Sequence, residues 1–330
     1  MPMIVLGIES TAHTLGLGVV NEEGRILADC KSVYAPEVGG IHPREAAEHH
    51  QKQMHVVLKE VFSETGVSLA EVKGIAYAQG PGLPPALRIG AVMARTLAKS
   101  LGVPLLGVNH CVAHIEQARY FCKAEKPLVV YLSGGNTQIT MLEARRYRIF
   151  GETLDIALGN MLDVFARAAN LSHPGGPKIE HLAKQAKGEY QELPYTVKGM
   201  DLAFSGLLTA AKRLLANGSP LETVCYSLQE TSFAMVAEVV ERALAHTSRE
   251  EVIVTGGVAA NARLREMLAF VAEEQSAKFA SVPPKYAGDN GSMIAYNGLL
   301  MLHTKTTTPL SKSKVRPKWR LDQVDIPWGE

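Results

Sequence analysis

One pattern occurs twice in this chain and restricts its fold more than any other feature. In the first copy, an apolar run from Ile4 to Ile8 leads into a small, polar turn, Glu9-Ser10-Thr11-Ala12-His13-Thr14. Leu15 to Val20 then alternates apolar residues with glycine. Asn21-Glu22-Glu23-Gly24 has the composition of a hairpin turn, and Arg25 to Cys30 returns as a third strand. In the second copy, Leu128 to Leu132 leads into Ser133-Gly134-Gly135-Asn136-Thr137. A strand at Gln138 to Leu142, a turn at Glu143-Ala144-Arg145-Arg146 and a strand at Tyr147 to Gly151 follow. Repeated units of this kind face each other across a cleft and present their two small-residue turns to a common ligand. The alternative is two unrelated hairpins.

Around the two copies the periodicity is helical. Pro36 to Pro43, with Gly39-Gly40, is expected as loop. Arg44 to Glu64 is expected as a helix with a broken apolar stripe through Ala47, Met54, Val57, Leu58 and Val61. His42, His49, His50 and His55 crowd this segment; His55 fits a polar helix face, and His49 and His50 fit either that face or a substrate-facing cluster. Gly74 to Ala78 predicts a strand running into Gln79-Gly80-Pro81-Gly82 and a helix from Ala86 to Leu101. A glycine turn between strand and helix suits an anion, because the first helical N–H groups lack intrahelical partners. Glycines serve tight turns equally. A further turn of this type, Gly256-Gly257-Val258-Ala259-Ala260-Asn261, separates a strand at Glu251 to Thr255 from a helix at Ala262 to Glu273. Helices are also expected over Asn160 to Ala169, Ile179 to Ala186 and Leu221 to Thr247, the last largely buried. Another runs from the loop Ala287-Gly288-Asp289-Asn290-Gly291-Ser292 to about Met301. Asp289 there is either a ligand or acid, or the helix N-cap. By analogy, paired units of this kind form the actin, Hsp70 and sugar-kinase (ASKHA) superfold, with a nucleotide between the turns. The expected class is α/β, a duplicated fold of two lobes around a nucleotide cleft, divided into residues 1–125 and 126–330.

After an apolar run from Val103 to Val108, Asn109 can cap a helix by accepting a backbone N–H. His110 and His114, four residues apart, then lie one above the other on one face. Two imidazoles so placed supply half of a metal site. The H-E-x-x-H zinc-protease helix has the same spacing, but Cys111 stands where its general-base Glu would be. Two satisfied histidines on a helix is the alternative.

Charge narrows the partners. The net charge is +1 over 330 residues, so no global positive field advertises nucleic acid. The exception is local: Lys305, Lys312, Lys314, Arg316, Lys318 and Arg320 occur between 305 and 320 with no acid among them, and Trp319 lies inside the run. This fits a phosphate-contacting arm or a solvated terminus pinned by Trp319. Four scattered cysteines without a C-x-x-C pair suit a reducing compartment. No signal-peptide pattern and no long uncharged apolar run is present, which predicts a cytoplasmic chain with no membrane partner.

Several motifs in order resemble one family. They are Gly7-Ile8-Glu9-Ser10-Thr11-Ala12-His13-Thr14, Gln79-Gly80-Pro81-Gly82, Val108-Asn109-His110-Cys111-Val112-Ala113-His114, Tyr131-Leu132-Ser133-Gly134-Gly135-Asn136-Thr137, Phe204-Ser205-Gly206-Leu207-Leu208-Thr209, Gly256-Gly257-Val258-Ala259-Ala260-Asn261 and Asp289-Asn290-Gly291. Together they resemble the universal tRNA threonylcarbamoyladenosine synthase catalytic subunit (TsaD in bacteria, the catalytic subunit of KEOPS in archaea and eukaryotes), once labelled a glycoprotease. The resemblance covers Ile4 to about Trp319. Tyr131 and Ser133-Gly134-Gly135-Asn136, where bacterial members generally read Ser-Gly-Gly-His, are similar to the archaeal or eukaryotic branch. Met161 stands where Ala is expected.

The resemblance implies metal ligands at His110, His114, Tyr131 and Asp289, a set that suits iron or zinc. It implies substrate contacts at Tyr131, Leu132, Ser133, Gly134, Gly135, Asp163, Gly176, Glu180 and Asn261. Glu9, Ser10 and Thr11 are a candidate phosphate loop for the adenylate or an ATP-like nucleotide. The implied reaction transfers threonylcarbamoyl from threonylcarbamoyl-AMP, made by a separate synthase, to N6 of the adenosine beside the tRNA anticodon, in tRNAs reading codons that begin with adenine. Implied partners are tRNA, a kinase-like subunit and a small dimer-forming subunit. The competing class is a small-molecule kinase of the same superfold, with Glu9 orienting Mg²⁺; a metalloprotease lacks its helix Glu.

Overall fold

The computed structural model describes residues 3–36, 40–187 and 189–329; of the expected loop at 36–43, residues 37–39 lie outside the described residues. The two sequence repeats become two five-stranded mixed sheets with the same strand plan. The first contains β1 (Val5–Glu9), β2 (Thr14–Val20), β3 (Ile26–Val33), β4 (Gly74–Gly80) and β5 (Leu105–Asn109), in the order β3-β2-β1-β4-β5. α1 (Pro43–Thr65) and α2 (Pro84–Leu101) make its crossovers, and α3 (His110–Cys122) leaves it. The second contains β6 (Leu128–Leu132), β7 (Thr137–Glu143), β8 (Arg146–Glu152), and, after a helical insertion, β11 (Glu251–Thr255) and β12 (Lys278–Ser281), in the order β12-β11-β6-β7-β8. In each sheet the first three strands form an antiparallel meander, and the other two run parallel to the first. The parallel pairs need helical crossovers, which α2 and α8 (Ala262–Glu274) supply.

The insertion holds α4 (Leu158–Ala168), α5 (Gly175–Ala183), the short pair β9 (Val197–Lys198) and β10 (Asp201–Leu202), α6 (Ser205–Ala216) and the long buried α7 (Leu221–Thr247). α9 (Pro284–Ala287) and α10 (Gly291–His303) follow β12. Three details differ from the sequence reading. β3 runs on to Val33 rather than stopping at Cys30. α5 starts at Gly175, because a Pro in the first helical turn loses no hydrogen bond. β12 escaped notice because its partly exposed Lys-Phe-Ala-Ser stretch carries no clean alternation.

β1 is buried along its whole length because both faces of its sheet are covered. Leu6 and Ile8 pack with residues of α1 and α2, and Val5 packs with Met293, Ile294 and Ala295 of α10. α10, made after the second sheet, thus returns to the first. It lies unusually close: a Cβ at Gly7, Gly16 or Gly18 would overlap the backbone of α10 or its N-cap, and one at Gly291 would overlap β2. Asn290, not Asp289, caps this helix by accepting from Met293 N (2.8 Å). Gln117 of α3 donates to Asn290 Oδ1 (3.2 Å) and Ser292 Oγ (3.0 Å), so α10 is keyed to α3 as well.

The histidines left open in α1 are placed here. His50 is buried and donates to the Ala12 carbonyl (3.1 Å), and His49 meets Ser32 Oγ at 2.9 Å, so both dock α1; His55 is exposed.

Two outcomes follow. Gly18→Ala, or Gly291→Ala, is expected to cost about 1–3 kcal/mol or more of stability from overpacking, read by urea denaturation. Burial, helped by His49, holds His50 at a pKa of about 4, below its ordinary 6.5. The unfolded chain therefore takes up the proton first, and stability falls as pH drops from about 6.5 toward 4. His50→Gln should flatten that part of a stability–pH curve.

Candidate metal centre

β5 delivers Asn109, whose Oδ1 accepts from Cys111 N (3.0 Å) and Val112 N (3.2 Å) and starts α3. The cap puts His110 and His114 on one face with ring centroids 4.7 Å apart. Asp289 reaches them from the loop before α10: its Oδ1 is 3.1 Å from His114 Nε2 and 3.5 Å from His110 Nε2. One ligand atom from each of the three lies within 4.8 Å of the others. Tyr131, near the end of β6, brings its ring 5.4 Å from that of His114. It is fully buried, and among the described residues its Oη meets no partner in good hydrogen-bond geometry, with the Cys111 and Ser133 side chains its polar neighbours.

Behind His110 stands Glu9. Its Oε2 is 2.9 Å from His110 Nδ1, and its Oε1 accepts from both Thr11 N and Thr11 Oγ1 at 2.6 Å. This carboxylate fixes the imidazole so that Nε2 faces Asp289, the support that metal-binding histidines commonly have. The electrostatics agree. Burial depresses the His110 pKa, but Glu9 and then Asp289 outweigh it and push it up to about 9. Burial also raises the Asp289 carboxyl, and the facing imidazoles overcome this and hold it well below the usual carboxylate range. His114 is lowered, chiefly by burial. Without an ion the two carboxylates favour the charged imidazole, and a cation bound at Nε2 would take the place of that proton. Two imidazoles and a carboxylate form a donor set that fits a transition-metal cation, and Tyr131 borders it through its ring.

The candidate phosphate loop differs from the expectation in its side chains. Glu9 and Thr11 are buried and engaged with each other and with His110, and Ser10 Oγ lies against Gly90 of α2. Their roles depend on contacts across about a hundred positions of sequence, which no local motif displays.

The second turn is more open. Ser133 Oγ accepts from Gly135 N (3.4 Å) and Asn136 N (3.1 Å), and a Cβ at Gly134 or Gly135 would meet open space. Leu132 is core. Asp163 on α4 accepts from Gly175 N (2.7 Å) and faces His173 Nδ1 at 3.6 Å. Gly176 has only Leu162 near the place of a Cβ. Glu180 accepts from Ala262 N (3.1 Å), and Asn261 caps α8 at Leu264 N (3.2 Å) and donates to Gln229 (3.0 Å). Asp163, Glu180 and Asn261 thus join α4, α5 and α8, while the metal candidates gather at α3. His13 and His173, rings 5.3 Å apart, link the first small-residue turn to the α4–α5 loop. Neither has a spacing signal, because both sit in polar turns.

The comparisons agree with this picture. The profile of the family TsaD, tRNA N6-adenosine threonylcarbamoyltransferase, matches residues 25–296. A protein named tRNA N6-adenosine threonylcarbamoyltransferase from Thermococcus sibiricus is 53% identical over 327 residues, covering 99% of this chain and 100% of that protein. A probable bifunctional tRNA threonylcarbamoyladenosine biosynthesis protein from Methanocorpusculum labreanum is 54% identical over 324 residues, covering 98% of this chain and 60% of that protein. The chain therefore spans about three-fifths of the length of such bifunctional relatives. Among solved structures, HypF of T. kodakarensis superposes with a TM-score of 0.63 at 16% identity, over 93% of this chain and 49% of that one. That likeness concerns the fold, which is the duplicated α/β arrangement of the actin, Hsp70 and sugar-kinase class. On the family match and the near-full-length relatives, the chain belongs to the tRNA N6-adenosine threonylcarbamoyltransferase (TsaD) family.

Proposed function

We propose that this chain transfers the threonylcarbamoyl group of threonylcarbamoyl-AMP to N6 of the adenosine beside the anticodon of tRNAs that read codons beginning with adenine. The observation that supports the reading is the meeting of His110, His114 and Asp289, with the Tyr131 ring 5.4 Å from that of His114. These four residues would hold one iron or zinc ion. When bound, it would polarise the carbamoyl carbonyl or hold the threonyl group.

The chain's own residues do the rest. Glu9 keeps His110 in the orientation that offers Nε2. The Ser133–Gly135 turn, free of side-chain bulk, brings backbone N–H groups to the phosphate, and Asp163 and Glu180 accept from sugar hydroxyls. The N6 amine is a weak nucleophile because its lone pair is delocalised into the ring. Its attack forms the new N–C bond, the bond from that carbon to the phosphate oxygen breaks, and AMP leaves with the amine proton released. The chain is proposed to act in the cytoplasm, in a KEOPS-type assembly with a kinase-like and a small dimer-forming subunit, downstream of a separate adylate-forming synthase. Among the described residues no helix is long and apolar enough to cross a membrane. A small-molecule kinase of this superfold needs a free carboxylate in its first turn, and that of Glu9 is committed to Thr11 and His110.

The chain with its partner subunits, unmodified tRNA and labelled threonylcarbamoyl-AMP should place label on the tRNA. No label on the tRNA, or phosphorylation of a small substrate without it, would end the reading. His110→Ala, His114→Ala and Asp289→Ala should each lower metal content and transfer together, and full metal occupancy in the His110/His114 double variant would remove those residues from the site. Glu9→Gln should weaken metal affinity by about ten- to a hundredfold, measured by competition with a chelator.

A further inference from the structure

We propose that the segment from Lys312 to Arg320 is a rail for the phosphates of an RNA strand and leads that strand to the cleft beside Gly135. The proposal rests on the transfer reading above and adds where the acceptor strand lies. Lys312, Lys314, Arg316, Lys318 and Arg320 are exposed, while Ser313 is buried and Val315, Pro317 and Trp319 are half-buried between them. Every outward position of the segment is thus a cation.

This is not a loose basic tail. Tyr77 Oη donates to the Ser313 carbonyl (2.9 Å), and Gln79 Nε2 donates to the carbonyls of Lys312 (2.8 Å) and Lys314 (2.7 Å). Arg316 N donates to the Gln79 carbonyl (2.7 Å), and Gly82 N to that of Pro317 (3.2 Å). Gly80, at φ +155°, has no room for a Cβ because the Arg316 carbonyl fills that place. The Arg316 guanidinium stacks 3.9 Å over the Trp319 ring. The glycine turn after β4, read in the sequence as an anion loop, therefore serves to hold the basic segment's backbone.

Four of the five cations are also free of carboxylate partners. Among the described residues, Lys312, Lys314, Arg316 and Lys318 have no carboxylate within ion-pair distance, and Arg320 pairs with Glu152 (3.1 Å) and Asp322 (3.2 Å). Fixing like charges in a row costs repulsion that a polyanion relieves. At the end of the row, Lys318, Trp319 and Arg320 line a cleft of about 340 Å³ together with Gly135 and Asn136, and with Glu152, which Arg320 pairs, and Asp155. Cys111, between the two histidines of α3, also lines it. Aligned cations that end at an aromatic side chain and a nucleoside-sized cleft suit a nucleic-acid strand with one base turned inward. An acidic protein surface would use the cations but not the cleft.

The test is the triple variant Lys312→Gln, Lys314→Gln, Lys318→Gln in the full chain with its partner subunits. All three side chains are exposed, so an unchanged melting temperature serves as the folding control. KM for tRNA should rise by about tenfold or more, and the slope of log affinity against log salt should become shallower by about 2, at roughly 0.7 per lost phosphate contact. In the double variant Lys312→Gln, Lys314→Gln, neither of whose residues lines that cleft, KM for threonylcarbamoyl-AMP and kcat at saturating tRNA should stay within about twofold while KM for tRNA still rises. Unchanged tRNA KM and salt slope with transfer continuing would overturn the rail and leave the transferase reading standing. Weaker subunit assembly at unchanged tRNA KM would overturn it in favour of a protein partner. If neither the parent chain nor the variant transfers the group, the transferase reading falls and the rail with it.

Discussion

The candidate centre depends on a backbone-to-backbone contact. α10 can lie on β1 and β2 only because Gly7, Gly16, Gly18 and Gly291 leave no side chains between them. That approach fixes the helix start, and the start fixes Asp289. Asn290 takes the capping duty, so the Asp289 carboxylate is left for the imidazoles. Gln117 then ties the same cap to α3, one turn beyond His114. The three ligand candidates are therefore held by packing and capping rather than by one another, as a preorganised site requires.

Charge follows from the same arrangement. Glu9 and Asp289 flank His110 from opposite sides, one from β1 and one from the α10 loop. Burial would normally strip the proton from such an imidazole, and the two carboxylates reverse that outcome. The pocket is thus built for a cationic centre. The open second turn, at Gly134 and Gly135, lies on the other repeat, so the duplicated fold divides the work: one turn supports the histidines and the other leaves room for a ligand.

How much of this could be read from the chain alone follows contact distance in sequence. The two meanders and the His110–His114 pair rest on local periodicity, and the structure contains each of them; the strand order and β12 do not show in that periodicity. Asn109 as a cap was equally local. Asp289 is 175 residues from His114, and its place depends on glycines that in the sequence look like ordinary strand and turn residues. Residue type alone left it undecided between ligand and cap. The contact of Glu9 is hidden for the same reason, since His110 is 101 residues away. The Gln79–Gly82 turn had the composition of an anion loop, and only the contacts with Lys312, Lys314 and Arg316 reveal its other use.

The return of α10 to the first sheet has a consequence for biogenesis. A ribosome completes β1 to β5 long before it reaches residue 291, so the glycine-lined face of that sheet waits uncovered while the whole second lobe is made. Nascent chain at this stage exposes a flat apolar strand surface of the kind chaperones guard. The Asp289 carboxylate, which meets the His110–His114 pair, is likewise translated near the end, so premature termination before that helix would leave both the sheet face and this cluster unfinished.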